Sequence, residues 1–486
     1  MASYDLVLRG GSVLDGTGVP AKSADLAIAG DRIAAIGALP RQSGREEIDV
    51  AGLTVAPGFI DVHTHDDRAL FATPDMAAKV SQGVTTVIVG NCGISLAPAL
   101  PDRPLPPPLD LIGTAEAFRF RRFADYLDAV EAAPPAINAA CLVGHSTLRA
   151  GAMDKLDRPA DEGEIETMRA RLAEALDAGA IGLSSGLWYA PAVASTKDEM
   201  VALARLVHEA GAIYTTHMRD EGDHVLDSLD ETFAVGREAQ VPVVVSHHKV
   251  MGRKNFGRTQ ETLPKIAAAM ARQSIGLDAY PYIASSTVLR PQNVPLALKV
   301  LITWSKPHPE MAARELSAIA QEWGVTELEA CDRLQPAGAI YFMMNEEDVR
   351  RVLAFEHTMI GSDGLPHDRH PHPRLWGTFA RVLGYYSREV GLFPLAEAVR
   401  KMTGLPAARF GLTGRGHLSP GAYADVTVFD AATIIDRATF EKPMTPAAGI
   451  HLVLVNGKPV WRAGASTGAR PGRALRRQAM KAEARA

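Results

Sequence analysis

Short apolar runs and amphipathic stretches alternate through the middle of the chain. The stretches 161–179 and 195–211 repeat apolar residues at helical spacing, whereas the runs around them are short and β-rich. Apolar strands that alternate with helices specify parallel βα units, so the pattern predicts an α/β protein whose central part is a (β/α)8 TIM-like barrel. The eight runs are 53–65, 84–93, 136–146, 180–186, 212–218, 241–249, 274–282 and 357–364.

The two ends of the chain have a different pattern of apolar and polar residues. Alternating apolar positions, broken by Gly or Asp-Gly, indicate antiparallel hairpins before the first run. Similar alternation returns at 424–435 and 451–464. Two separate terminal caps would each have too few strands to bury a face. We therefore predict one small β-sandwich domain built from both termini, residues 1–56 and 415–486, around a barrel at 57–414.

A long segment separates the seventh run from the eighth. Residues 285–345 exceed what a crossover connection needs, and they carry helical patterns of their own. We predict that this segment is an inserted lid subdomain over the mouth of the barrel.

Composition and charge narrow the class of protein. The 486 residues carry a net charge of −5, which gives no global field for nucleic acid or membrane binding. The chain has no apolar segment of membrane-spanning length, its N-terminus lacks a secretion signal, and its three cysteines cannot form a disulfide framework. We expect a cytoplasmic protein that acts on a small molecule, in an oligomeric state that the sequence leaves open. The basic segment 469–486 is predicted to be a solvated tail, with helical and extended conformations both open, rather than a nucleic-acid arm.

Residues of metal-ligand type end many of the runs. A single strand-end His is more often a hydrogen-bonded core residue, but so many at the edge where barrel enzymes carry their chemistry favour a metal site. Residues i and i+2 of a strand face the same side, so His63 and His65 should converge on one ion. Imidazole and thiolate suit Zn²⁺, and Cys92, His217 and His247 would leave one position open. The run-end residues are His63, His65, Asn91, Cys92, His145, His217, His247 and Asp363.

Two further residues complete this interpretation. His248 follows His247 directly, so it should face the opposite way and support or pack against the site. Asp363 lies in GSDG at the tip of the last run, where a carboxylate could take a proton from a zinc-activated water. An Asp before Gly is also common as a helix cap or in a turn. In the company of the histidines we interpret Asp363 as the catalytic base.

Motifs along nearly the whole chain carry a family resemblance. GFIDVHTH after a small β domain, a His ending the fifth and sixth runs and an Asp ending the eighth are similar to the amidohydrolase superfamily. GNCGIS, THMRDEGD, SHHK, DAYPY followed by SST, GSDG and HPHPRLWGTFARVLG resemble the N-acyl-D-amino-acid deacylases, or D-aminoacylases. This resemblance implies zinc-dependent hydrolysis of an N-acyl-D-amino acid to a carboxylate and a free D-amino acid.

The resemblance also implies a ligand set. Most superfamily members with two metals bridge them through a carboxylated Lys on the fourth strand, whereas in the D-aminoacylases a Cys on the second strand serves instead. The fourth run here, AIGLSSGLWY, has no Lys, and Cys92 matches the Cys. By this resemblance Cys92, His217 and His247 hold a tight zinc ion, and His63 and His65 line a second, weaker site that Cys92 bridges.

The family binds the α-carboxylate of its substrate through cationic and phenolic side chains. These map onto Lys249, Tyr280 and Arg374, with Ser286 as a weaker candidate. A surface charge at Lys249 and a structural ion pair at Arg374 are the alternatives.

The side-chain preference of the substrate depends on one position. Members selective for N-acyl-D-glutamate carry an Arg just after SST, whereas the aligned residue here is Asn293 and the nearby Arg290 is out of register. We expect apolar D side chains, such as methionine or leucine, with acidic side chains as the alternative. Deamination on the same fold, and a barrel that keeps its metal only for structure or loses it, are the other open hypotheses.

Overall fold

The computed structural model describes residues 3–98 and 104–477. Within these ranges the strands are β1 (Tyr4–Val13), β2 (Lys22–Ala29), β3 (Arg32–Gly37), β4 (Gly44–Asp49), β5 (Thr54–Pro57), β6 (Phe59–Asp61), β7 (Val84–Val89), β8 (Asn138–Gly144), β9 (Gly182–Gly186), β10 (Ile213–His217), β11 (Val243–Val245), β12 (Ile275–Ala279), β13 (Ala284–Val288), β14 (Lys299–Ser305), β15 (Ala337–Phe342), β16 (Thr358–Ile360), β17 (Val426–Phe429), β18 (Ile450–Val455), β19 (Lys458–Arg462) and β20 (Ala465–Ser466).

The α-helices of the same ranges are α1 (Ala69–Ala72), α2 (Ala77–Val80), α3 (Phe123–Ala132), α4 (His145–Ala152), α5 (Glu162–Asp177), α6 (Ala190–Val193), α7 (Lys197–Glu209), α8 (Val225–Ala239), α9 (Thr259–Met270), α10 (Leu316–Trp323), α11 (Glu327–Leu334), α12 (Glu346–Ala354), α13 (Arg374–Arg381), α14 (Leu395–Met402) and α15 (Gly404–Arg409). A π-helical segment, Val382–Glu389, continues α13. None of the described helices has the length and apolar character needed to cross a membrane.

Eight parallel strands form the central barrel. They follow the order β16-β12-β11-β10-β9-β8-β7-β6, and each lies in one of the eight runs of the sequence. An isolated parallel bridge between Thr64 and Gly364, with a hydrogen bond from Asp363 N to His63 O of 2.7 Å, joins the last strand to the first. The prediction of an α/β barrel is therefore confirmed.

Helix α5 shows why the intervening stretches become the outer layer. Its buried residues, among them Met168, Leu172 and Ala175, recur at spacings of three and four and so form one apolar stripe that faces the core. Asp161 caps its N-terminus by accepting a hydrogen bond from the Glu164 backbone N–H, and the Glu164 side chain bonds back to Asp161. The sequence thus sets both the buried face and the start of the helix.

Strands from both ends of the chain belong to one nine-stranded sheet. Its order is β20-β19-β18-β17-β5-β1-β2-β3, and β4 pairs with β1 off this path. Apolar side chains of the two termini, such as Leu8, Ile28, Val426 and Leu454, pack in one cluster. The exact domain limits drawn from the sequence remain predictions.

The pairing inside this sheet corrects one expectation. Strands β1, β2 and β3 are antiparallel as predicted, but β4 and β5 both run parallel to β1. The ten-residue β1 changes neighbours along its length, because Tyr4–Arg9 pairs with β4 and Ser12–Val13 with β5. Gly10, with φ of +68°, lies at the register shift, where the left-handed backbone suits glycine.

The long insertion before the last barrel strand contains a sheet as well as the predicted helices. Antiparallel strands β13, β15 and β14 pair in that order, and α10 and α11 pack against them through a separate apolar cluster. The helical patterns of the sequence predicted α10 and α11 but gave no indication of these strands. Its action as a lid remains a prediction.

The first half of the basic C-terminal segment is not a solvated tail. Ala474 pairs with Ala139 beside β8, and Leu475 N donates to Ala139 O. Arg476 and Arg477 donate to carbonyl groups at the ends of α5 and α7. Residues 469–477 therefore bind the barrel, because their arginines find carbonyl and carboxylate partners there; residues 478–486 lie outside the described ranges.

A buried lysine links the first barrel strand, β6, to the residues that follow the last one, β16. Lys79 Nζ lies 2.8 Å from Asp61 and 3.0 Å from Asp66, and donates to Ser362 Oγ at 2.9 Å. We expect Lys79→Met to lower the free energy of unfolding by about 3–5 kcal/mol, because it leaves buried carboxylates without their cation. Denaturant unfolding measures this loss, and Lys22→Met at an exposed position is the matched control. Equal stability of both variants would contradict the expectation.

Candidate metal centre and active site

The candidate site residues meet at the C-terminal end of the barrel. His217 ends β10, and the other members of the two metal-ligand clusters lie two to four residues beyond the ends of their strands. Three of them, Cys92, His247 and Asp363, have positive φ angles of 54°, 37° and 50°. The left-handed region is unfavourable for residues with a Cβ atom, and such conformations concentrate at functional sites.

Cys92, His217 and His247 form a first cluster. Cys92 Sγ lies 3.6 Å from His217 Nδ1 and 3.4 Å from His247 Nε2, and these two nitrogens are 3.0 Å apart. Zinc bonds of about 2.0–2.3 Å at tetrahedral angles place ligand atoms roughly 3.3–3.6 Å from one another. The two distances from Cys92 Sγ lie in this range, and the two nitrogens are about 0.3 Å closer than it. The chemistry of the three donors fits a zinc ion.

His63, His65, Cys92 and Asp363 form a second cluster. His63 Nε2 lies 3.2 Å from Cys92 Sγ, and His65 Nε2 lies 3.2 Å from Asp363 Oδ1. The four donor atoms lie within 4.8 Å of one another, and Cys92 is common to both clusters. The two histidines converge as their spacing predicted.

Neighbouring cationic and imidazole groups keep two side chains of this buried site, Cys92 and Asp363, in their ionised forms. Burial alone would raise the pKa of the Cys92 thiol, but the neighbouring histidines His63 and His247 hold it well below its ordinary value. Burial also opposes ionisation of Asp363, yet Arg374, whose Nη1 lies 2.9 Å from Asp363 Oδ2, keeps the pKa of that carboxyl well below its usual range. The site therefore offers a thiolate and a carboxylate.

Two carboxylates orient the candidate ligands, and sequence reasoning did not assign either of them. Glu221 Oε1 lies 3.0 Å from His247 Nδ1 and accepts a hydrogen bond from Lys249 Nζ at 2.8 Å. Asp278 Oδ1 accepts the His247 backbone N–H at 2.9 Å and lies 3.4 Å from His63 Nδ1. Such outer carboxylates fix ring orientation and tautomer. Glu221 lies in THMRDEGD and Asp278 in DAYPY, so the motifs contained the signal.

The predicted carboxylate-binding residues lie together at the same end of the barrel. The Arg374 guanidinium lies 4.5 Å from the Tyr280 ring centroid, and Lys249 Nζ lies 5.6 Å from it. Arg374 Nη2 donates to Ser286 O at 3.1 Å. Within the described chain, Arg374 Nε and Ser286 Oγ are buried without a hydrogen-bond partner, which is unusual for polar atoms.

Lys249, Tyr280 and Ser286 line one small cavity of about 30 Å³, and Arg374 lies outside its wall. Asn293 lies in its wall, whereas Arg290 lines a different cavity, and its guanidinium stacks 4.0 Å from the Trp188 ring centroid. The remaining wall is partly apolar. The lining residues are Trp188, Tyr189, His217, Glu221, His247, Lys249, Met251, Tyr280, Ser285, Ser286, Thr287, Asn293, Met343 and Asp363.

Other polar residues at the run ends stay outside the two clusters. His145 begins α4, and its Nε2 lies 2.8 Å from Glu199 Oε1. Asn91 donates to Ile88 O at 2.8 Å, so it holds the backbone after β7. His248 faces away from the cluster, with Nε2 2.8 Å from Thr262 Oγ1, and burial lowers its pKa to about 4.

Comparison with known proteins identifies the family of the chain. The sequence pattern described as the amidohydrolase family matches residues 46–326 and 312–461. The chain is 58% identical over 476 residues to a D-aminoacylase of Alcaligenes xylosoxydans xylosoxydans, covering 98% of each chain. A solved D-aminoacylase structure, described for its binuclear metal centre, superposes with a TM-score of 0.95 at 58% identity and covers 98% of this chain and 100% of its own.

A more distant solved structure contains both a metal and an inhibitor. The N-acyl-D-glutamate deacylase of Bordetella bronchiseptica, complexed with zinc and a phosphonate mimic of the tetrahedral intermediate, superposes with a TM-score of 0.94 at 45% identity and covers 98% of this chain and 100% of its own. The chain therefore belongs to the amidohydrolase family of hydrolases and, within it, to the D-aminoacylases.

Proposed function

We propose that the protein hydrolyses N-acyl-D-amino acids to a carboxylate and a free D-amino acid, depends on zinc and favours apolar side chains. One observation carries the proposal. One small cavity is lined by His217 and His247 of the first cluster, by Asp363 and by the cation Lys249. Arg374 reaches Asp363 from behind this wall. An N-acyl amino acid has an amide and a carboxylate one carbon apart, which matches candidate metal ligands and a cation that line one cavity.

The first cluster is proposed to hold the tight zinc ion, because thiolate and imidazole are the donors that Zn²⁺ prefers. His63 and His65 would line a second, weaker site that shares Cys92 and lies beside Asp363. When bound, zinc supplies Lewis-acid polarisation of an amide carbonyl. The relatives with a binuclear metal centre or bound zinc support this assignment.

The substrate carboxylate is assigned to Lys249, Arg374 and Tyr280, with Ser286 Oγ as a further donor. Burial alone would lower the pKa of Lys249, but Glu221 raises it, so the ammonium stays charged. Burial raises the pKa of Tyr280 to about 12, so the phenol keeps its proton as a donor. The unpartnered Arg374 Nε gives a buried N–H for an incoming anion.

Asp363 is proposed to move the proton. Its Oδ2 faces Arg374, whereas Oδ1 faces the histidines and is therefore placed to accept a proton from an attacking water. The same oxygen then returns the proton to the leaving nitrogen. With the carboxylate and the acyl carbonyl of the substrate both held, only one configuration at the α-carbon directs the side chain into the remaining space.

The apolar preference is supported by the wall that contains Asn293. Met251 and Met343 line the cavity with it, and the Arg290 cation is directed elsewhere. We expect Asn293→Arg to raise kcat/KM for N-acetyl-D-glutamate, relative to N-acetyl-D-methionine, by about tenfold or more, because a charge-assisted hydrogen bond contributes about 1.5–3 kcal/mol. Asn293→Gln, neutral but longer, is the control. An unchanged ratio in Asn293→Arg would remove this position from substrate selection.

Chiral product analysis tests the proposed function directly. Zinc-loaded protein is incubated with racemic N-acetyl-leucine and N-acetyl-methionine, and the free amino acids are resolved by enantiomer. Release of the D-amino acid alone supports the proposal. Release of both enantiomers would remove the stereochemical claim. Release of neither would overturn the apolar preference and direct the assay to acidic side chains and deaminase substrates.

A further inference from the structure

A second cavity lies at the opposite end of the barrel. Its volume is about 440 Å³, within the range of about 300–1,000 Å³ typical of small-molecule sites. Ile181, Ile213 and Pro242 line it, and these residues precede or begin β9, β10 and β11. Ile213 and His217 are the two ends of β10, so at about 3.3 Å per residue some 13 Å of strand separates this cavity from the candidate metal centre.

The charged residues that line this cavity are all cations. The wall contains arginines and, among its lining residues, no carboxylate. Three of the arginines are neutralised from behind: Arg473 pairs with Asp31 at 2.7 Å, Arg476 with Asp128 at 2.6 Å, and Arg415 with Asp425. The arginines of the wall are Arg409, Arg415, Arg473, Arg476 and Arg477.

Arg409 and Arg477 differ from these three. Over the described ranges neither has a carboxylate within ion-pair distance; they donate only to neutral oxygens, Arg409 to Ser274 and Ile275 and Arg477 to Ala210 and Leu176. Burial lowers the pKa of Arg409, and no acidic neighbour opposes that effect. Arg477 Nε is buried without a hydrogen-bond partner among described residues. Two cations that have no counter-charge among residues 3–98 and 104–477 thus line one cavity, an arrangement that costs free energy unless an anion completes it.

We infer that this cavity binds a small dianion. Two guanidinium groups that lack a counter-ion in the described part of the chain match two negative charges, and a guanidinium fork suits the paired oxygens of a phosphate or a carboxylate. The guanidiniums of Arg32 and Arg415 lie 3.5 Å and 4.0 Å from the centroid of the Tyr423 ring, which is close enough to occupy both of its faces. The ring is therefore not free to stack a nucleotide base, so the wall favours a compact anion.

The bound anion would also connect two parts of the chain. Arg409 ends α15, and Arg477 ends the segment 469–477 that runs beside β8. A dianion held by both cations joins these segments across the base of the barrel. Because it binds the folded protein and not the unfolded chain, it raises the thermal midpoint in a concentration-dependent way.

Titration calorimetry and thermal unfolding of the full-length, zinc-loaded protein test this inference. Inorganic phosphate and succinate are the two dianion probes, acetate is the monoanion control, and metal content is measured before and after each titration. We expect saturable binding of one or both dianions and a rise in thermal midpoint, with acetate binding at least tenfold more weakly. Tighter phosphate binding would indicate a phosphate ester as the ligand, and tighter succinate binding a dicarboxylate.

Variants locate the binding. Arg477→Gln and Arg409→Gln should each weaken dianion binding at least tenfold, whereas Arg462→Gln, at an exposed position paired with Glu46, should leave it unchanged. Each variant is compared with its own anion-free midpoint, so a general loss of stability does not obscure the result, and Arg477→Gln carries the test if Arg409→Gln does not fold. Absence of saturable binding, or equal binding by all variants, would overturn the inference. Loss of the proposed deacylase activity would not affect it, because the two sites lie at opposite ends of the barrel.

Discussion

Replacing Asp363 with Asn is expected to reduce kcat on N-acetyl-D-methionine by about 10²–10⁴-fold, without loss of the zinc ion proposed for the first cluster. The amide has nearly the shape of the carboxylate but cannot accept the proton. The first cluster does not include Asp363, so the donors of the tight ion remain in place. Turnover assays and elemental analysis of the same preparation measure the two quantities together.

Asp368→Asn is the matched control for this variant. Asp368 is also buried and follows Asp363 by five residues, but it belongs to neither cluster. Burial raises the pKa of Asp368 to about 7, so the change to Asn removes only part of a negative charge at neutral pH. We expect near-normal turnover from it. If Asp363→Asn were as active as this control, Asp363 would not be the base.

Replacing Cys92 with Ser should have the second large effect, loss of bound zinc together with loss of activity. Cys92 is the one residue that both clusters share, and its low thiol pKa supplies a thiolate without the cost of deprotonation. A Ser hydroxyl remains protonated and is a much poorer zinc ligand. We expect zinc content to fall from about one ion per chain to near zero on dialysis and turnover to fall at least a thousandfold.

Cys141→Ser provides the comparison. Cys141 is buried as deeply, but its thiol pKa is raised by burial, so it stays protonated and offers no metal donor. This variant should retain its zinc and most of its activity. Retention of zinc by Cys92→Ser would show that the histidines alone hold the ion, and the shared-thiolate assignment would fail.

Local periodicity was enough to predict the barrel. Each barrel strand is a short apolar run, and the stripe of α5 repeats at helical spacing, so neither needs information from distant residues. The parallel pairing of β4 and β5 with β1 could not be read in this way. Alternation of apolar and polar residues predicts a strand but not which strand pairs with it. Because β1 changes partners at Gly10, the alternating patterns of β4 and β5 are unaffected and give no sign of the change.

The same distinction applies to the site. His63 and His65 were predicted to converge because residues i and i+2 of a strand share a face. Their ring centroids lie 5.8 Å apart, although β6 ends at Asp61 and both histidines follow it. The roles of Glu221 and Asp278 depend on contacts between different strand ends, which one sequence does not specify. Nor did the sequence indicate that residues 469–477 would bind the barrel, since a basic segment is compatible with solvent and with an ordered contact.

The left-handed backbone at Cys92, His247 and Asp363 has a consequence for engineering this enzyme. Each residue pays about 1–2 kcal/mol for a conformation that glycine adopts without strain. At these positions stability and chemistry oppose each other, since glycine relieves the backbone and removes the donor atom. Directed evolution for heat tolerance alone would therefore select against the three side chains, so a library for thermostability has to hold them fixed or be screened for turnover in parallel.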